Sequence, residues 1–450
     1  MKTQRRSFLR TAAAVAFGVH LVPRHVLGGP GHTPPSSKLN LAAVGAGGQA
    51  ASDLKNMLSE NIIALCDVDE NHAEMFKALP GAKRYKDFRL MFAEVGDKID
   101  AVLVGTPDHT HAVAAMAAMK LGKHVYCEKP LAHSVAEVRA LRKTAAERKL
   151  ITQVGNQGHS SDSIRVFCEW IWDGAIGRVT EIHAGCDAFR GSATYSQLKD
   201  LEKILAAQDK CPPTLDWNLW QGPAAEQPYH PQFCPWAWRA WSRYGSGALG
   251  DWVCHVIDPV FWALDLDIPT TIVAETDDYD PQKHGETFPS GSKVTFEFPA
   301  KGQRGPVKLF WYDGKRDVPR PKDLEPGRSG VGTGAVVLGE HGTIMYGSHG
   351  AGGVRLVPEK AMQAYKRPEA KIPRVRVSHQ CDWLDAIRAG RQAGSPFEYG
   401  GRLSEIGLLG VIAVRLSGTK LHYDERAMRF TNNDEANKLL NPVFRSGWSL

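Results

Sequence analysis

The sequence predicts an α/β protein with two domains, the first built on a doubly wound parallel sheet and the second on a sheet with one open face. From residue 39 onward, short apolar runs alternate with helical stretches, and a glycine-rich turn follows the first run. Buried strands separated by helices are typical of βαβ units, which form parallel sheets. After Gln157 the runs become longer and alternate with polar residues, which favours strands that expose one face to solvent.

The composition is that of a folded globular protein. Of the 450 residues, 43% are hydrophobic and 23% are charged, which excludes both a disordered chain and a collagen-like repeat. The chain exceeds the roughly 100 to 150 residues of a typical domain, so we expect more than one core. The formal charge is +6, but residues 1–29 carry five of the basic residues and no acidic ones. Because the remainder is almost neutral, nucleic acid is not an expected partner.

The first 29 residues resemble a twin-arginine export signal. Arg5 and Arg6 precede Ser-Phe-Leu-Arg, and a mildly apolar stretch at 11–22 follows. That stretch is shorter than the roughly 20 residues of a membrane-spanning helix, so we predict no membrane anchor. We therefore expect a cleaved signal at 1–29, a linker at 30–37, and export to the periplasm by the twin-arginine translocation machinery. A basic N-terminal arm would contain the same residues.

The eight cysteines are scattered and show neither a C-x-x-C pair nor a zinc-binding spacing. Most are expected to be buried as small apolar side chains. Cys211 and Cys234 flank a stretch rich in proline and tryptophan, and an oxidising compartment would allow them to form a disulfide. Spacing alone leaves that pairing open.

The predicted elements fall into two groups. The first group has strands at 39–44, 62–66, 99–105, 124–127 and 151–154, with helices at 108–121 and 134–149. The second group begins with a helix at 160–172 and has strands at 178–189, 270–279, 291–298 and 306–312. Further helices are predicted at 250–264, 378–389 and 403–416.

A dinucleotide-binding turn is predicted directly after the first strand. The residues GAGGQA at 45–50 match the pattern G-x-G-x-x-A and open the following helix. Glycine lets the chain turn sharply and lets a pyrophosphate approach backbone N–H groups at the helix N-terminus. Asp67 ends the second strand, where a carboxylate accepts hydrogen bonds from ribose hydroxyls and repels a 2′-phosphate. The pattern predicts NAD rather than NADP, although a glycine-rich turn without a ligand would share it.

Thr106 and Pro107 end the next long strand, at the edge of the sheet where nucleotides bind in such folds. The nearby His109 and His111 invite comparison with a metal site. Two histidines without a third ligand nearby are more often structural, so no metal site is predicted.

Lys129 is the first candidate for catalysis. It lies in Glu128-Lys129-Pro130, where another strand reaches the same edge of the sheet. Partial burial and the positive charge of a nicotinamide ring would both favour the neutral amine, which is the form that accepts or relays a proton. Pro130 restricts the backbone after the strand and therefore the direction of Lys129. A surface lysine at a strand end would show the same local sequence.

Asp251 and His255 form a second candidate pair. They are four residues apart in a helix-like pattern, so their side chains share one helical face. A carboxylate beside an imidazole holds one tautomer and raises its basicity, which suits removal of a hydroxyl proton. An ordinary i,i+4 pair on a surface helix would have the same spacing.

Together these motifs resemble the Gfo/Idh/MocA oxidoreductases, the family of glucose-fructose oxidoreductase and inositol dehydrogenase. The motifs that carry the resemblance occur in the order of that family, namely the GAGGQA turn, Asp67, Thr106-Pro107 with His111, Glu128-Lys129-Pro130, Gly155-Asn156-Gln157 and the Asp251/His255 pair. The resemblance implies an NAD-binding Rossmann domain at 38–157. It also implies, at 158–450, an α/β domain with an open-faced mixed sheet that binds substrate and supports homo-oligomers.

The resemblance also implies roles for individual residues. Lys129, Asp251 and His255 correspond to the catalytic set. The implied cofactor-binding residues are Gly45, Gly47, Gly48, Gln49, Asp67, Thr106, Pro107, His111, Glu128 and Lys129. The implied substrate-binding residues are Asn156, Gln157, Trp238 and Arg239.

The segment 217–241 is similar to an exported bacterial subgroup of the family, and its indoles suit stacking on sugar rings. We therefore expect oxidation, or reversible reduction, of a secondary hydroxyl of a sugar, glycoside or cyclitol.

A related group uses the same fold and NAD for redox-neutral glycoside hydrolysis, but it usually carries valine in the position of Lys129. A non-catalytic sugar-binding module is a further alternative, which the three catalytic candidates argue against. Because free NAD is scarce outside the cytoplasm, we expect a tightly held cofactor.

Overall fold

The computed structural model describes residues 37–188 and 190–450. Its strands form one sheet of six strands and one of nine. The predicted signal peptide at 1–29 and all but the last residue of the predicted linker lie outside the described residues, and so does Phe189 at the end of one predicted strand.

The N-terminal sheet has the strand order of a Rossmann domain. Its strands are β1 (Asn40–Val44), β2 (Asn61–Cys66), β3 (Lys83–Tyr85), β4 (Ala101–Val104), β5 (His124–Cys127) and β6 (Thr152–Val154). Neighbouring strands are parallel, and their spatial order is β3-β2-β1-β4-β5-β6. The order reverses direction between β1 and β4, which is where dinucleotides bind in this fold. The predicted fold class is therefore confirmed for this domain.

Both faces of this sheet are buried. Along β1, Leu41 and Ala43 belong to one buried cluster, whereas Ala42 and Val44 belong to another. Successive residues of a strand point to opposite faces, so each face has its own core. The helices of this domain are α1 (Gly48–Lys55), α2 (Glu74–Ala78), α3 (Phe88–Val95), α4 (Asp108–Lys120) and α5 (Val135–Glu147).

The second sheet is mixed, as expected. Its strands are β7 (Val179–Cys186), β8 (Thr271–Asp277), β9 (Gly291–Phe298), β10 (Val307–Gly314), β11 (Gly334–Gly339), β12 (Thr343–Gly347), β13 (Gly352–Val357), β14 (Leu421–Asp424) and β15 (Arg429–Phe430). Their spatial order is β13-β12-β11-β7-β10-β9-β8-β14-β15. Strands β7 and β10 are parallel, and the other neighbours are antiparallel.

Some helices of the second domain cover one face of this sheet, whereas α12 packs on the sheet of the first domain. They are α6 (Asp162–Trp172), α7 (Leu201–Ala206), α8 (Trp217–Gln221), α9 (Gly247–Val256), α10 (Asp258–Ala263), α11 (Glu359–Ala364), α12 (His379–Ala389), α13 (Phe397–Arg415) and α14 (Asp434–Leu440). Helices α9 and α13 pack against each other and against strands of the mixed sheet. Helix α13 also contacts α5 and β6, so the buried clusters of the two domains are continuous.

Several elements differ from their predicted bounds for identifiable reasons. The predicted helix at 250–264 is two helices, α9 and α10, because Pro259 lies in the first turn of α10, where its missing N–H is tolerated. Helix α13 begins at Phe397 rather than at 403, since Gly400 and Gly401 resemble a loop in sequence but permit close packing on Val154 and Arg142. Strands β3 and β11 to β15 were not predicted, and several of them are short or begin with glycine.

Among the described residues, no helix is long and apolar enough to cross a membrane.

All eight cysteines, including Cys211 and Cys234, are free thiols in this structure. The disulfide that their spacing left open is therefore not formed here.

Candidate active site

The glycine turn joins β1 to α1 and is shaped by close backbone contacts. Gly45 has a φ of +96°, and a Cβ there would lie 2.7 Å from the carbonyl oxygen of Gly105. A Cβ on Gly47 would lie 1.8 Å from the carbonyl oxygen of His72, so neither position accepts a side chain. Helix α1 begins at Gly48, and its N-cap Gly47 has no side chain to cap the first turn. The N–H groups of that turn which lack intrahelical partners are therefore open to an anion such as a pyrophosphate.

Asp67 directly follows β2 and lies beside this turn. Its Oδ2 accepts a 2.8 Å hydrogen bond from the N–H of Ala46, and its Oδ1 accepts a 3.0 Å hydrogen bond from the N–H of Asp69. Burial raises the pKa of the Asp67 carboxyl, and the two backbone donors only partly offset this. Each carboxylate oxygen retains capacity for a second hydrogen bond, as the binding of ribose hydroxyls requires.

A cavity of about 550 Å³ extends from the glycine turn to α9. The predicted site residues that line it are Gly45, Gly47, Gly48, Gln49, Asp67, Thr106, Pro107, His111, Glu128, Lys129, Gln157, Trp238, Arg239, Asp251 and His255. The glycine turn and all three catalytic candidates therefore share one cavity, although Lys129 follows a strand of the first domain and the other two lie on α9. Asn156 lies outside this lining.

Lys129 and Asp251 form a buried ion pair between the two domains. Nζ of Lys129 lies 2.5 Å from Oδ1 of Asp251 and 3.3 Å from its backbone carbonyl oxygen. Oδ2 of Asp251 accepts a 2.5 Å hydrogen bond from the hydroxyl of Tyr195 and lies 3.4 Å from Nε of Arg239. Both carboxylate oxygens are thus engaged by groups other than His255.

This ion pair corrects two expectations drawn from the sequence. Burial by itself lowers the pKa of Lys129, but Asp251 and Glu128 outweigh burial and raise that pKa, so the amine is charged. Burial also opposes ionisation of Asp251, but Lys129 and Arg239 hold the pKa of Asp251 well below its usual range. The prediction of a neutral amine is wrong for this structure because a carboxylate oxygen lies 2.5 Å away. Asp251 binds Lys129, whereas the partner expected from the sequence was His255.

His255 is a neutral imidazole in the wall of the same cavity. Burial, followed by the charge of Lys129 and the neighbouring His349, lowers the pKa of His255 well below its usual value. The rings of His255 and His349 stack with centroids 4.2 Å apart, and Trp252 meets both rings edge-on. Nδ1 of His255 is buried and has no hydrogen-bond partner within the described part of the chain. Asp251 raises the pKa of His255, as expected, but burial and the two neighbouring groups outweigh it. An uncharged imidazole can accept a proton.

Tyr195, Trp252 and His349 were not predicted as site residues. The hydroxyl of Tyr195 accepts a 2.8 Å hydrogen bond from Nε1 of Trp252 while it donates to Asp251. Trp252 could have been suspected from its place next to Asp251 in the chain. Tyr195 and His349 lie in stretches with no motif, and only the fold brings them to α9.

Asp108 adds a further carboxyl group to the cavity. It lies in the first turn of α4, and its Oδ2 accepts a 2.8 Å hydrogen bond from the hydroxyl of Ser246. Burial, followed by the negative charge of Asp251, raises the pKa of Asp108 to about 7. A signal for this residue was present in the sequence, since an acidic residue directly follows Thr106-Pro107 at the binding edge of the sheet.

Glu128 and Gln157 belong to a buried polar network beside the cavity. Nε2 of Gln157 donates a 2.7 Å hydrogen bond to Oε1 of Glu128. Nε2 of Gln49 donates to Oδ1 of Asp53 at 3.1 Å, within α1. Burial, followed by the charge of Asp53, raises the pKa of Glu128. The structure thus places Gln157 with the predicted cofactor-binding residues and not with the tryptophans expected to contact substrate.

Asn156 lies in a buried cluster between the domains. Its Nδ2 donates a 3.0 Å hydrogen bond to Oδ2 of Asp258. Oδ1 of Asp258 accepts a 2.5 Å hydrogen bond from the hydroxyl of Tyr399 and lies 3.1 Å from Nδ1 of His159. This cluster binds Nδ2 of Asn156 outside the cavity lining, and a contact between Asn156 and substrate stays a prediction.

His109 and His111 are both hydrogen-bonded to backbone carbonyls. The ring nitrogens of His111 lie 2.8 Å from the carbonyl oxygen of Pro130 and 2.7 Å from that of Thr106. The ring nitrogens of His109 contact two carbonyl oxygens of the second domain. Burial lowers the pKa of His111 to about 4 and that of His109 to about 3. A neutral ring has one N–H, so His111 donates to one of its two carbonyl neighbours, which follow β4 and β5.

Tryptophan side chains and Arg239 form the cavity wall contributed by the second domain. Trp236, Trp238 and Trp252 all line it. The guanidinium of Arg239 lies over two of these rings, with Cζ 4.1 Å from the centroid of Trp238 and 4.8 Å from that of Trp236. Trp236 is 55% exposed, whereas Trp238 is only 7% exposed. Flat indoles beside a planar cation suit the apolar faces and the hydroxyls of sugar rings.

The fold and this cavity define a two-domain dinucleotide-binding protein. A family model described as an oxidoreductase family with an NAD-binding Rossmann fold matches residues 39–156. A second model of the same family, described as its C-terminal alpha/beta domain, matches residues 197–303. The chain therefore belongs to the Gfo/Idh/MocA oxidoreductase family, and its first domain is an NAD-binding Rossmann domain.

Curated relatives and solved structures agree with this family. The chain is 32% identical over 161 residues to levoglucosan dehydrogenase of Pseudarthrobacter phenanthrenivorans, covering 36% of this chain and 32% of that protein. It is 30% identical over 149 residues to inositol 2-dehydrogenase of Rubrobacter xylanophilus, covering 32% of this chain and 42% of that protein. The matched regions thus span less than half of either relative.

A similar solved structure is the WlbA dehydrogenase of Bordetella pertussis in complex with NADH and UDP-GlcNAcA. It superposes with a TM-score of 0.58 at 15% identity and covers 86% of this chain and 99% of that chain. At this level of identity the likeness shows a shared fold.

Proposed function

We propose that the protein is an NAD-dependent oxidoreductase that oxidises, or reversibly reduces, a secondary hydroxyl of a sugar, glycoside or cyclitol. The observation that carries the proposal is that the charged Lys129, the neutral His255 and the glycine turn line one cavity. The named curated relatives are a levoglucosan dehydrogenase and an inositol 2-dehydrogenase, which supports a sugar or cyclitol substrate.

The residues of the first domain fit NAD. The turn at Gly45 and Gly47 leaves no room for side chains, and the N-terminus of α1 is open to the pyrophosphate. Asp67 would hold the ribose hydroxyls and disfavour a 2′-phosphate. NAD bound there would accept the hydride that leaves the carbinol carbon.

The acid–base step uses two residues in complementary states. His255 is uncharged and takes the proton of the substrate hydroxyl. Lys129 is charged, and its ammonium stabilises the negative charge that develops on the hydroxyl oxygen as that proton leaves. Asp251 keeps Lys129 charged and in place through the 2.5 Å contact. Reduction of a ketone would use the same groups in reverse.

Replacing Lys129 with Met tests the proposal. Turnover on a panel of glycosides and cyclitols should be lost, while NAD still binds, because the side chain keeps most of its length but loses its charge. Lys143→Met is a matched control, since the side chain of Lys143 is 75% exposed on α5. Undiminished turnover in Lys129→Met would refute the assignment. Products that show bond cleavage without net redox would instead indicate a redox-neutral hydrolase or lyase.

Export and cofactor retention belong to the same proposal. Arg5 and Arg6 support export through the twin-arginine route, which carries folded proteins together with bound cofactors. An Arg5→Lys/Arg6→Lys double variant should accumulate in the cytoplasm, whereas Arg24→Lys should reach the periplasm as the unchanged chain does.

Purified protein should carry NAD after extensive dialysis. Protein that loses its nucleotide on dialysis would contradict tight retention.

Homo-oligomer formation through the mixed sheet is the last part of the proposal. The face of this sheet away from α9 and α13 has its own apolar cluster around Tyr312, Val318 and Val336. Phe310, Leu338 and Met345 pack against this cluster and are only partly buried. Light scattering during size-exclusion chromatography should give a mass at least twice that of one chain, and a monomer would contradict this part.

A further inference from the structure

The segment 441–450 leaves α14 and runs across the second domain to the Rossmann domain. Arg445 anchors it, because its Nε donates a 2.6 Å hydrogen bond to the carbonyl oxygen of Gly222 and its Nη1 donates a 2.8 Å hydrogen bond to Oδ1 of Asn218. Beyond this anchor, Nζ of Lys120 on α4 donates a 2.6 Å hydrogen bond to the carbonyl oxygen of Leu450. The segment is therefore fixed on both domains.

Trp448 lies between these two attachments and forms part of the wall of the cofactor cavity. Its ring lies 6.1 Å from the ring of Phe88, at an interplanar angle of 56°. The guanidinium of Arg89 lies over the indole, 4.7 Å from its centroid. Gly447 has a φ of +87°, so the chain turns there in a conformation that favours glycine just before it presents the indole.

The position of Trp448 along the cavity identifies the part of the cofactor that it faces. Lys129 and His255 line the end where the nicotinamide must react with substrate, and the glycine turn between the ends suits the pyrophosphate. Asp67 suits the ribose on the other side of that turn. Phe88 begins α3 three residues after Tyr85, and the carbonyl oxygen of Tyr85 accepts a 3.0 Å hydrogen bond from the N–H of Asp67. Phe88 and its ring neighbour Trp448 therefore line the cavity near Asp67, which is the end that suits the adenine.

We infer that Trp448 binds the adenine ring of NAD and that the segment 441–450 slows release of the cofactor. The inference deepens the proposed function and rests on its claim of cofactor retention. Adenine and indole are both flat and largely apolar, and stacking of a base on an aromatic side chain is worth about a tenfold or larger change in affinity. Because Phe88, Arg89 and the anchored segment hold Trp448 without help from a ligand, the indole is in position before the nucleotide binds.

Calorimetric titration of nucleotide-depleted protein tests the inference with three ligands. In Trp448→Ala, the Kd for NAD and the Kd for ADP-ribose should rise by the same factor, about tenfold or more. The Kd for nicotinamide mononucleotide, which lacks adenine, should not change. Trp448→Phe should retain most of the affinity, since it keeps an aromatic ring. Val443→Ala is the matched control, because Val443 lies in the same segment and is 95% exposed.

The rate of exchange of bound NAD for isotopically labelled NAD, followed by mass spectrometry, should increase in Trp448→Ala and not in Val443→Ala. Unchanged Kd values for NAD and ADP-ribose would overturn the inference, and so would an equal loss of affinity for nicotinamide mononucleotide. Failure of the proposed function has a different signature. In that outcome no hydroxyl substrate is oxidised, while the contribution of Trp448 to adenine binding is still measured.

Discussion

Nζ of Lys129 and Oδ1 of Asp251 lie 2.5 Å apart, and this contact joins the Rossmann domain to the helix that carries His255. Lys129 follows β5, whereas Asp251 lies 122 positions further along the chain on α9. The charged state of the lysine therefore depends on how the two domains are docked. A group that burial alone would neutralise remains an ammonium ion because the second domain supplies a carboxylate.

Replacing Asp251 with Asn should change the pH profile of kcat/KM, because the charge of Lys129 depends on Asp251. Without the carboxylate, burial lowers the pKa of Lys129, so the ammonium is lost at a lower pH than in the native protein. Activity that needs the ammonium falls as pH rises through that pKa. We therefore expect kcat/KM of the variant to begin to fall at a lower pH than kcat/KM of the native protein. Identical profiles for the two proteins would contradict the role assigned to the pair.

Replacing Tyr195 with Phe should weaken the positioning of Asp251 without removing its charge. The variant loses the 2.5 Å hydrogen bond to Oδ2 of Asp251 but retains the contact with Lys129. Hydrogen bonds to charged groups are worth about 1.5–3 kcal/mol, so kcat should fall about 10- to 100-fold. Tyr365→Phe serves as the control, because that hydroxyl donates to Asp173 at an exposed site. Equal kcat values in the two variants would show that Tyr195 does not act through Asp251.

Replacing Asp67 with Ser should reduce the preference for NAD over NADP. The serine cannot repel a 2′-phosphate and accepts fewer hydrogen bonds from ribose hydroxyls. We expect the KM for NAD to rise about tenfold or more and the ratio of kcat/KM values for the two cofactors to approach one. Steady-state kinetics with both cofactors measures the ratio. If the native ratio persisted in the variant, cofactor choice would have to be assigned to a residue other than Asp67.

Replacing Glu137 with Gln should stabilise the protein at alkaline pH. Burial raises the pKa of Glu137 from 4.5 to about 7, so between these values the folded state binds more protons than the unfolded state. Stability contributed by this group therefore falls as pH rises through that window. At pH 8 the variant should gain up to about 3 kcal/mol in free energy of unfolding, and it should gain little at pH 4.

Urea unfolding at both pH values measures the effect of Glu137→Gln. Glu147→Gln is the matched control, since that side chain is 63% exposed on the same helix. A gain of the same size at both pH values would contradict the effect of burial on the Glu137 carboxyl.

Sequence patterns predicted those features whose causes are local. The strand at 291–298 was predicted with the bounds that it has, because its alternation is set by one buried face. The glycine turn was predictable because Gly45 and Gly47 each meet backbone at the edge of the same sheet, which leaves no room for a side chain. Strand β3 was missed because Lys83–Tyr85 has only three residues and two of them are basic.

The contacts that decide the chemistry of the site are long-range and could not be deduced from spacing. Asp251 and His255 share a helical face, as their spacing predicted, but Asp251 pairs with Lys129 and Tyr195 from elsewhere in the chain. The family resemblance implied that the amide of Asn156 contacts substrate. In this structure that amide donates to Asp258, which only the packing of α10 brings to it.

Residues 190–246 connect β7 to α9 through turns and short helices and carry Trp236 and Trp238 of the cavity wall. The named strands of both sheets lie in other parts of the chain. Insertions, deletions and substitutions in this segment can therefore reshape this part of the cavity wall while every strand register stays intact. Substitutions at 190–246 can thus change this part of the cavity wall without changing the two sheets, because the strands lie in other stretches of the polypeptide.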